Sequence, residues 1–373
     1  MPADANLPLQ RLSALGQSVW VDFLSRESIR GGHLQELIDD YAVVGATSNP
    51  TIFEKAMGEG DAYDEQLHEL ADTDSDVYAT FWALATQDIK DACDLFRPVW
   101  DGGEGRDGYV SLEVDPRLAY DTLQTFREAI SLHERVDRPN LMVKIPATKP
   151  GLAAIEDVIA KGRSVNVTLI FSLRRYAEVA ESYIRGIERL VAEGGDPKKV
   201  ASVASFFVSR IDTEADRRLE EVGGEEALAL RGKLAIANAK LAYSHYEQAF
   251  SGPRWEFLEG KGATPQRVLW ASTSTKNPAY ADTMYVDALI GRHTVDTMPE
   301  ETIKAYQDHG DPQSRLESGL DEAHEVLERL ERVGVDYDDV TGTLEREGVE
   351  KFSQSFEELM QSLGAKRKSL APA

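Results

Sequence analysis

The chain has 373 residues, of which 42% are hydrophobic and 28% are charged, so it can bury a large core as an ordinary globular protein does. Its formal net charge of −24 argues against nucleic acid and against an anionic membrane as partners, because both bind basic surfaces. The single cysteine, Cys93, excludes a disulfide framework and a cysteine-based zinc site. Because neither a signal-peptide pattern nor an apolar run of membrane length is found, we expect a cytoplasmic protein.

Short apolar segments typical of buried strands alternate along the chain with longer segments of helical spacing. The strand-like segments are residues 19–23, 43–47, 109–114, 141–145, 165–170, 200–208, 268–272 and 284–289. Examples of the helical segments between them are residues 29–41, 117–136, 151–161, 173–192 and 213–250. Strands that alternate with helices favour parallel pairing through right-handed crossovers. Eight such units predict an α/β fold, a closed (β/α)8 barrel of the TIM-barrel type.

Two connections in this pattern are long. Residues 52–108 contain at least two helical patterns and then a glycine-rich loop, and residues 300–363 contain two or three further helical patterns. We therefore interpret residues 1–363 as one barrel domain with additional helices in the β2–β3 connection and at the C-terminus, and residues 364–373 as a flexible tail. The glycines of residues 103–108 match the spacing of a dinucleotide-binding loop, but they precede a strand instead of following one, so we do not interpret them as a cofactor site.

Polar residues alternate with apolar residues in several predicted strands. The polar members include Asp22, Glu113, Lys144, Asn166 and Thr168. A half-exposed antiparallel sheet has the same alternation, but the helical segments favour parallel strands that are covered by helices. The polar set then faces the barrel interior near the carboxyl ends of the strands, where barrel enzymes place their active sites.

Lys144 is unusual because it lies in the short apolar run of residues 141–146. An ammonium group is costly to bury without a partner, and a lysine among apolar neighbours tends to lose its proton. A neutral amine can attack a carbonyl carbon. The alternative is a lysine at a strand end that extends its amine to water.

Other cations occupy the same predicted edge of the barrel. Arg210 ends the sixth strand, and Ser274 and Lys276 follow the seventh strand. Barrel enzymes often bind phosphate after strands seven and eight, so these side chains are candidates for a phosphate site, although Arg210 could instead form a surface ion pair. None of the seven histidines has a second histidine four residues away, and we predict neither a metal site nor a cofactor.

Six segments, each at a predicted strand end, together resemble the transaldolase family. They are residues 21–22, 47–51, 111–115, 143–148 and 166–172, and Ser205 with Arg210. The resemblance runs through most of residues 16–290, and residues 270–278 together with the chain length resemble a longer bacterial branch.

The resemblance implies a transferase that forms a Schiff base between Lys144 and the C2 carbonyl of a ketose phosphate. Asp22 would remove the proton of the C4 hydroxyl so that the C3–C4 bond breaks, and Glu113 and Thr168 would hold a proton-shuttling water. The donors of the family are sedoheptulose 7-phosphate and fructose 6-phosphate, and its acceptors are glyceraldehyde 3-phosphate and erythrose 4-phosphate, in the pentose phosphate pathway. No cofactor is implied.

The resemblance also assigns binding residues. Asn49, Asn166 and Ser205 would hydrogen-bond the dihydroxyacetone unit that remains on the lysine. Arg210, Ser274 and Lys276 would bind the phosphate, although many members carry arginine at the position of Lys276. The alternatives are an aldolase that releases free dihydroxyacetone and a sugar-phosphate binding protein without activity. We expect a monomer or a homodimer.

Overall fold

The computed structural model describes residues 7–58, 60–71 and 76–370. Eight parallel strands close into a barrel in chain order, which confirms the predicted (β/α)8 fold. The strands are β1 Gln17–Val21, β2 Val43–Thr47, β3 Val110–Glu113, β4 Leu141–Pro146, β5 Val165–Ile170, β6 Ser202–Phe207, β7 Arg267–Ala271 and β8 Thr294–Met298.

Helices surround the barrel and fill the long connections. They are α1 Pro8–Ala14, α2 Arg26–Arg30, α3 His33–Asp40, α4 Pro50–Gly58, α5 Asp64–Ala71, α6 Val77–Gly102, α7 Thr122–Val136, α8 Lys149–Ala160, α9 Leu173–Ala192, α10 Ser209–Val222, α11 Glu225–Leu228, α12 Leu234–Ala249, α13 Gly252–Glu259, α14 Met284–Ala288, α15 Glu300–His309, α16 Leu320–Arg332 and α17 Tyr337–Leu370. Helices α4 to α6 form the predicted insertion between β2 and β3. Within the described ranges, no helix has the length and apolar character needed to cross a membrane.

The predicted eighth strand, residues 284–289, is wrong. Met284–Ala288 forms the short helix α14, and the true β8 is Thr294–Met298, which pairs with both β1 and β7. A short apolar run fits a buried helical turn as well as a strand. The real strand was hidden by its polar composition, because the buried Asp296 within it accepts a hydrogen bond from the Thr273 hydroxyl at 2.8 Å.

Helix α17 includes most of the segment that the sequence analysis predicts as a flexible tail. It continues to Leu370, so residues 364–370 are helical, and the remaining three residues lie outside the described range. Lys366 holds this end in place, since its amine donates to the Gly60 carbonyl at 2.7 Å and pairs with Asp64 at 2.7 Å.

Helix α17 lies across the carboxyl ends of the strands. At one point Gly348 packs so closely on the end of β5 that a Cβ there would be 3.0 Å from the Leu169 side chain. Two turns further on, Ser355 shares a hydrogen bond of 2.9 Å with Thr51 on α4, the helix that follows β2. The helix therefore spans part of the barrel opening, from the β5 side to the β2 side.

Candidate active site

Lys144 on β4 points into the mouth of the barrel. Its side chain is only 6% exposed, and its Nζ donates a hydrogen bond of 3.2 Å to the Ser48 carbonyl. Glu113 is its register partner on β3 and places a carboxylate oxygen 3.6 Å from Nζ, an ion-pair distance that is too long for a hydrogen bond. Lys144 is thus a buried amine with one acidic neighbour, and the alternative of a lysine that reaches to water is wrong.

Glu113 is a buried carboxyl group in an environment that favours its neutral form. The pKa of Glu113 is raised to about 7, mainly by burial and also by the charge of Asp22, although Lys144 and Arg210 act in the opposite direction. Neither carboxyl oxygen, nor the hydroxyl of Thr168 on β5, forms a hydrogen bond with any described residue. A carboxyl group with a pKa near neutral pH suits proton transfer, and both side chains can still bond a water molecule or a substrate hydroxyl.

Asp22 directly follows β1 and is oriented by the hydroxyl group of Thr47, which a third strand supports in turn. The Thr47 hydroxyl on β2 donates to Asp22 Oδ1 at 2.8 Å and also contacts the Thr297 hydroxyl on β8 at 2.9 Å. The Asp22 backbone N–H donates to the Met298 carbonyl at 2.8 Å. The half-buried carboxylate lines an open cavity of about 1200 Å³. A fixed, accessible carboxylate of this kind can act as a base towards a bound molecule.

Polar side chains cross the interior of the barrel beside Lys144. Asn166 on β5 donates from its Nδ2 to the Ser111 hydroxyl on β3 at 3.0 Å and accepts from the Ser205 hydroxyl on β6 at 2.7 Å. Because β3 and β5 are not neighbours in the barrel, the first bond must pass through its interior. Asn49 lies apart from this chain of bonds, because its Oδ1 accepts from the Ile52 N–H at 3.0 Å at the start of α4. Its amide N–H2 group is still a potential donor to a ligand.

The candidate phosphate residues lie after β6 and after β7, at the same end of the barrel. Arg210 in the first turn of α10 lies over the Phe207 ring at 5.0 Å and the Phe352 ring of α17 at 5.9 Å. Burial lowers the pKa of Arg210. Lys276 donates to the Ser274 hydroxyl at 2.7 Å. Two cations and a hydroxyl group therefore lie where an anion can be bound.

Two tyrosine–aspartate pairs fix the loop that carries Lys276 against α10. Tyr285 donates to Asp212 at 2.9 Å, and Tyr280 donates to Asp216 at 2.5 Å. Burial raises the pKa of Asp212 to about 7. The loop position therefore depends on contacts with α10 as well as on its own sequence.

The structure brings most of the predicted site residues together and adds others that sequence reasoning missed. The predicted residues around the interior are Asp22, Glu113, Lys144, Asn166, Thr168 and Ser205. The added residues are Ser48, Thr47, Thr297 and Ser111, to which the sequence analysis gave no role. Ser111 belongs to the alternating polar set of its strand, and Thr47 ends a predicted strand. In the described ranges, no group of three or more histidine, cysteine, aspartate or glutamate residues could hold a metal ion.

A buried lysine beside a carboxyl group at the carboxyl ends of barrel strands is the arrangement of enzymes that use an amine as a nucleophile. Comparison with known proteins agrees with this class. The family profile described as "Transaldolase/Fructose-6-phosphate aldolase" matches residues 19–363. A protein of Mycobacterium marinum named transaldolase is 52% identical over 371 residues, which cover 99% of this chain and 100% of the relative. A transaldolase of Saccharopolyspora erythraea is 54% identical over 360 residues, or 96% of this chain and 97% of the relative. The chain belongs to the transaldolase/fructose-6-phosphate aldolase family.

Proposed function

We propose that the protein is a transaldolase, which moves a three-carbon dihydroxyacetone unit from a ketose phosphate to an aldose phosphate. The proposal rests above all on the buried Lys144 amine with Glu113 at 3.6 Å. The relatives named transaldolase, which align over nearly the whole chain, support the same activity.

In the first step the Lys144 amine adds to the C2 carbonyl of the ketose phosphate. The resulting carbinolamine loses water and becomes an iminium ion, so protons must reach the departing oxygen and leave the nitrogen. Glu113 supports this step because its pKa of about 7 lets it give and take a proton near neutral pH. The Thr168 hydroxyl would help to hold the water through which these protons move.

In the second step the C3–C4 bond breaks. Asp22 removes the proton of the C4 hydroxyl, C4 becomes the aldehyde of the departing aldose phosphate, and the electron pair moves into the iminium to give an enamine. The hydrogen bond from Thr47 at 2.8 Å fixes one oxygen of Asp22, which leaves the other to act as the base. The enamine then attacks the aldehyde of the acceptor, and the same steps in reverse release the new ketose.

Binding residues keep the three-carbon unit and the phosphate in place during the exchange. Asn166 and Ser205, already joined at 2.7 Å, would bind the hydroxyls of the retained unit. The amide of Asn49 would donate to the same unit. Arg210, Ser274 and Lys276 would bind the phosphate, which puts the reacting carbons at the Lys144 end of the site. Sugar phosphates are thus the partners we propose, and the cytoplasmic location and the monomeric or dimeric state stay predictions.

An acceptor-dependence assay tests the proposed transfer. Purified protein is incubated with fructose 6-phosphate alone and with fructose 6-phosphate plus erythrose 4-phosphate. A transaldolase forms glyceraldehyde 3-phosphate continuously only when the acceptor is present. Steady release of free dihydroxyacetone without an acceptor would instead identify an aldolase, the other activity in the family description. No turnover in either mixture would favour a binding protein.

A further inference from the structure

Four cations from four different elements converge at the barrel opening. They are Lys55 on α4, Arg210 on α10, Lys276 in the loop after β7 and Lys351 on α17. None of the four forms an ion pair with a carboxylate of the described residues. The chain has 65 acidic residues against 41 lysines and arginines, so four neighbouring cations that form no ion pair are unexpected unless they serve an anion.

We propose that Lys351 binds the phosphate of the sugar substrates together with Arg210 and Lys276. This inference rests on the proposed function and extends the phosphate site from the barrel loops to the C-terminal helix.

The register between α17 and α4 shows which face of α17 carries Lys351. Thr51 and Ser355, which share a hydrogen bond, are 304 positions apart. Gly58 and Ser362 have the same separation, and a Cβ at Gly58 would lie 3.8 Å from the Ser362 hydroxyl. The two helices therefore run parallel and side by side. Lys351 lies one turn before Ser355, which contacts α4, and about one turn after Gly348, which contacts β5, so it shares the face of α17 that packs on the barrel.

Arg210 links the helix to the phosphate site from the other direction. Its guanidinium lies 5.9 Å from the ring of Phe352, the residue next to Lys351. The charge of Arg210 is the largest of the effects that lower the pKa of Lys351, and burial, Lys276 and Lys55 lower it further. Such mutual repulsion is removed when a dianionic phosphate lies between the cations.

The position of α17 does not depend on Lys351. The helix is held by the Thr51–Ser355 hydrogen bond, by the close contact of Gly348 with β5, and by Phe356, whose ring lies 4.9 Å from the Arg117 guanidinium. The Lys351 side chain itself is exposed. Its charge can therefore be removed without disturbing the helix, which makes a direct test practical.

The test compares Lys351→Met with Lys368→Met, which removes the same charge from an exposed lysine near the far end of the same helix. The first measurement is the KM for fructose 6-phosphate with saturating erythrose 4-phosphate. The second is the dissociation constant of inorganic phosphate, obtained from the rise in melting temperature with phosphate concentration. For Lys351→Met we expect both constants to increase about 3- to 30-fold with kcat nearly unchanged. The effect is moderate because Lys351 is exposed, so solvent partly screens its interaction with the phosphate. Lys368→Met should match the wild type, and Lys351→Arg should restore most of the affinity.

Equal phosphate affinity in Lys351→Met and Lys368→Met would overturn the inference, and so would a fall in kcat at unchanged KM. Phosphate binding needs no catalysis. If the acceptor-dependence assay fails but Lys351→Met still weakens phosphate binding, the proposed reaction falls while the phosphate site at Lys351 stands.

Discussion

Replacing Glu113 by glutamine removes one titrating group from the site while preserving its shape. Glutamine is nearly isosteric with neutral glutamic acid, so the buried side chain keeps its volume. Without a proton to give or take, the formation and hydrolysis of the Schiff base should slow, and general acid–base catalysis contributes typically ~10²- to 10⁴-fold. We therefore expect kcat to fall by about that factor, and the ionisation near pH 7 to disappear from the pH dependence of kcat/KM. Steady-state kinetics between pH 5.5 and 8.5 measure both effects.

The same substitution has an effect on stability whose sign follows from the pKa. Burial raises the pKa of Glu113 from an ordinary 4.5 to about 7, so the folded protein binds a proton that the unfolded chain has already lost. The stability that this group contributes is complete below pH 4.5 and is lost as the pH rises through about 7. The difference between 4.5 and about 7 corresponds to ~3 kcal/mol, because one pH unit is worth ~1.36 kcal/mol.

Glu113→Gln should therefore resemble the wild type in stability at pH 5 and exceed it by up to ~3 kcal/mol at pH 8. Thermal unfolding of both proteins at the two pH values measures this difference, with Glu325→Gln, an exposed glutamate on α16, as the control. If the wild type and Glu113→Gln lose stability in parallel between pH 5 and pH 8, Glu113 is not a buried acid that favours its neutral form.

Three further substitutions test separate parts of the site. Thr47→Val removes the hydrogen bond to Asp22 and should lower kcat about 10-fold and the free energy of unfolding by ~1 kcal/mol, while Schiff-base formation persists. Rapid-quench kinetics separate Schiff-base formation from cleavage of the C3–C4 bond. Lys276→Ala should raise the KM for phosphorylated donors about 10-fold or more with a smaller effect on kcat, since Lys276 binds the phosphate equally in the ground state and in the transition state. A loss of kcat at constant KM in steady-state assays would contradict that role. Gly348→Val should push α17 away from Leu169, because even a Cβ would lie 3.0 Å from that side chain. We expect a lower melting temperature and a higher KM. Gly342→Val, in a more open place on the same helix, is the control and should change both less.

The barrel and its inward-facing residues could be predicted because parallel strands impose a strict alternation. Once helical segments require strands that are covered on the outside, the polar residues at every second position must face the interior. The alternation is sufficient to bring Lys144, Glu113 and Asn166 to one interior surface. It failed at β8, where a buried aspartate made the true strand look polar and an apolar helical turn nearby looked like a strand.

The contribution of α17 could not be predicted from local patterns. Its hydrogen bond between Thr51 and Ser355 joins residues 304 positions apart, and nothing in either neighbourhood specifies the partner. The same holds for the hydroxyl chain from Thr297 through Thr47 to Asp22, which depends on the closure of the barrel between β8 and β1. Long-range packing determines these contacts, so only the folded structure shows them.

Covalent trapping on the active-site lysine tests the central claim most directly. The protein is incubated with fructose 6-phosphate and sodium borohydride, digested, and analysed by peptide mass spectrometry. We predict one reduced three-carbon adduct on the peptide that contains Lys144, and its absence from a folded Lys144→Met variant. An adduct on a different lysine, or none on wild-type protein that binds the sugar phosphate, would contradict the account.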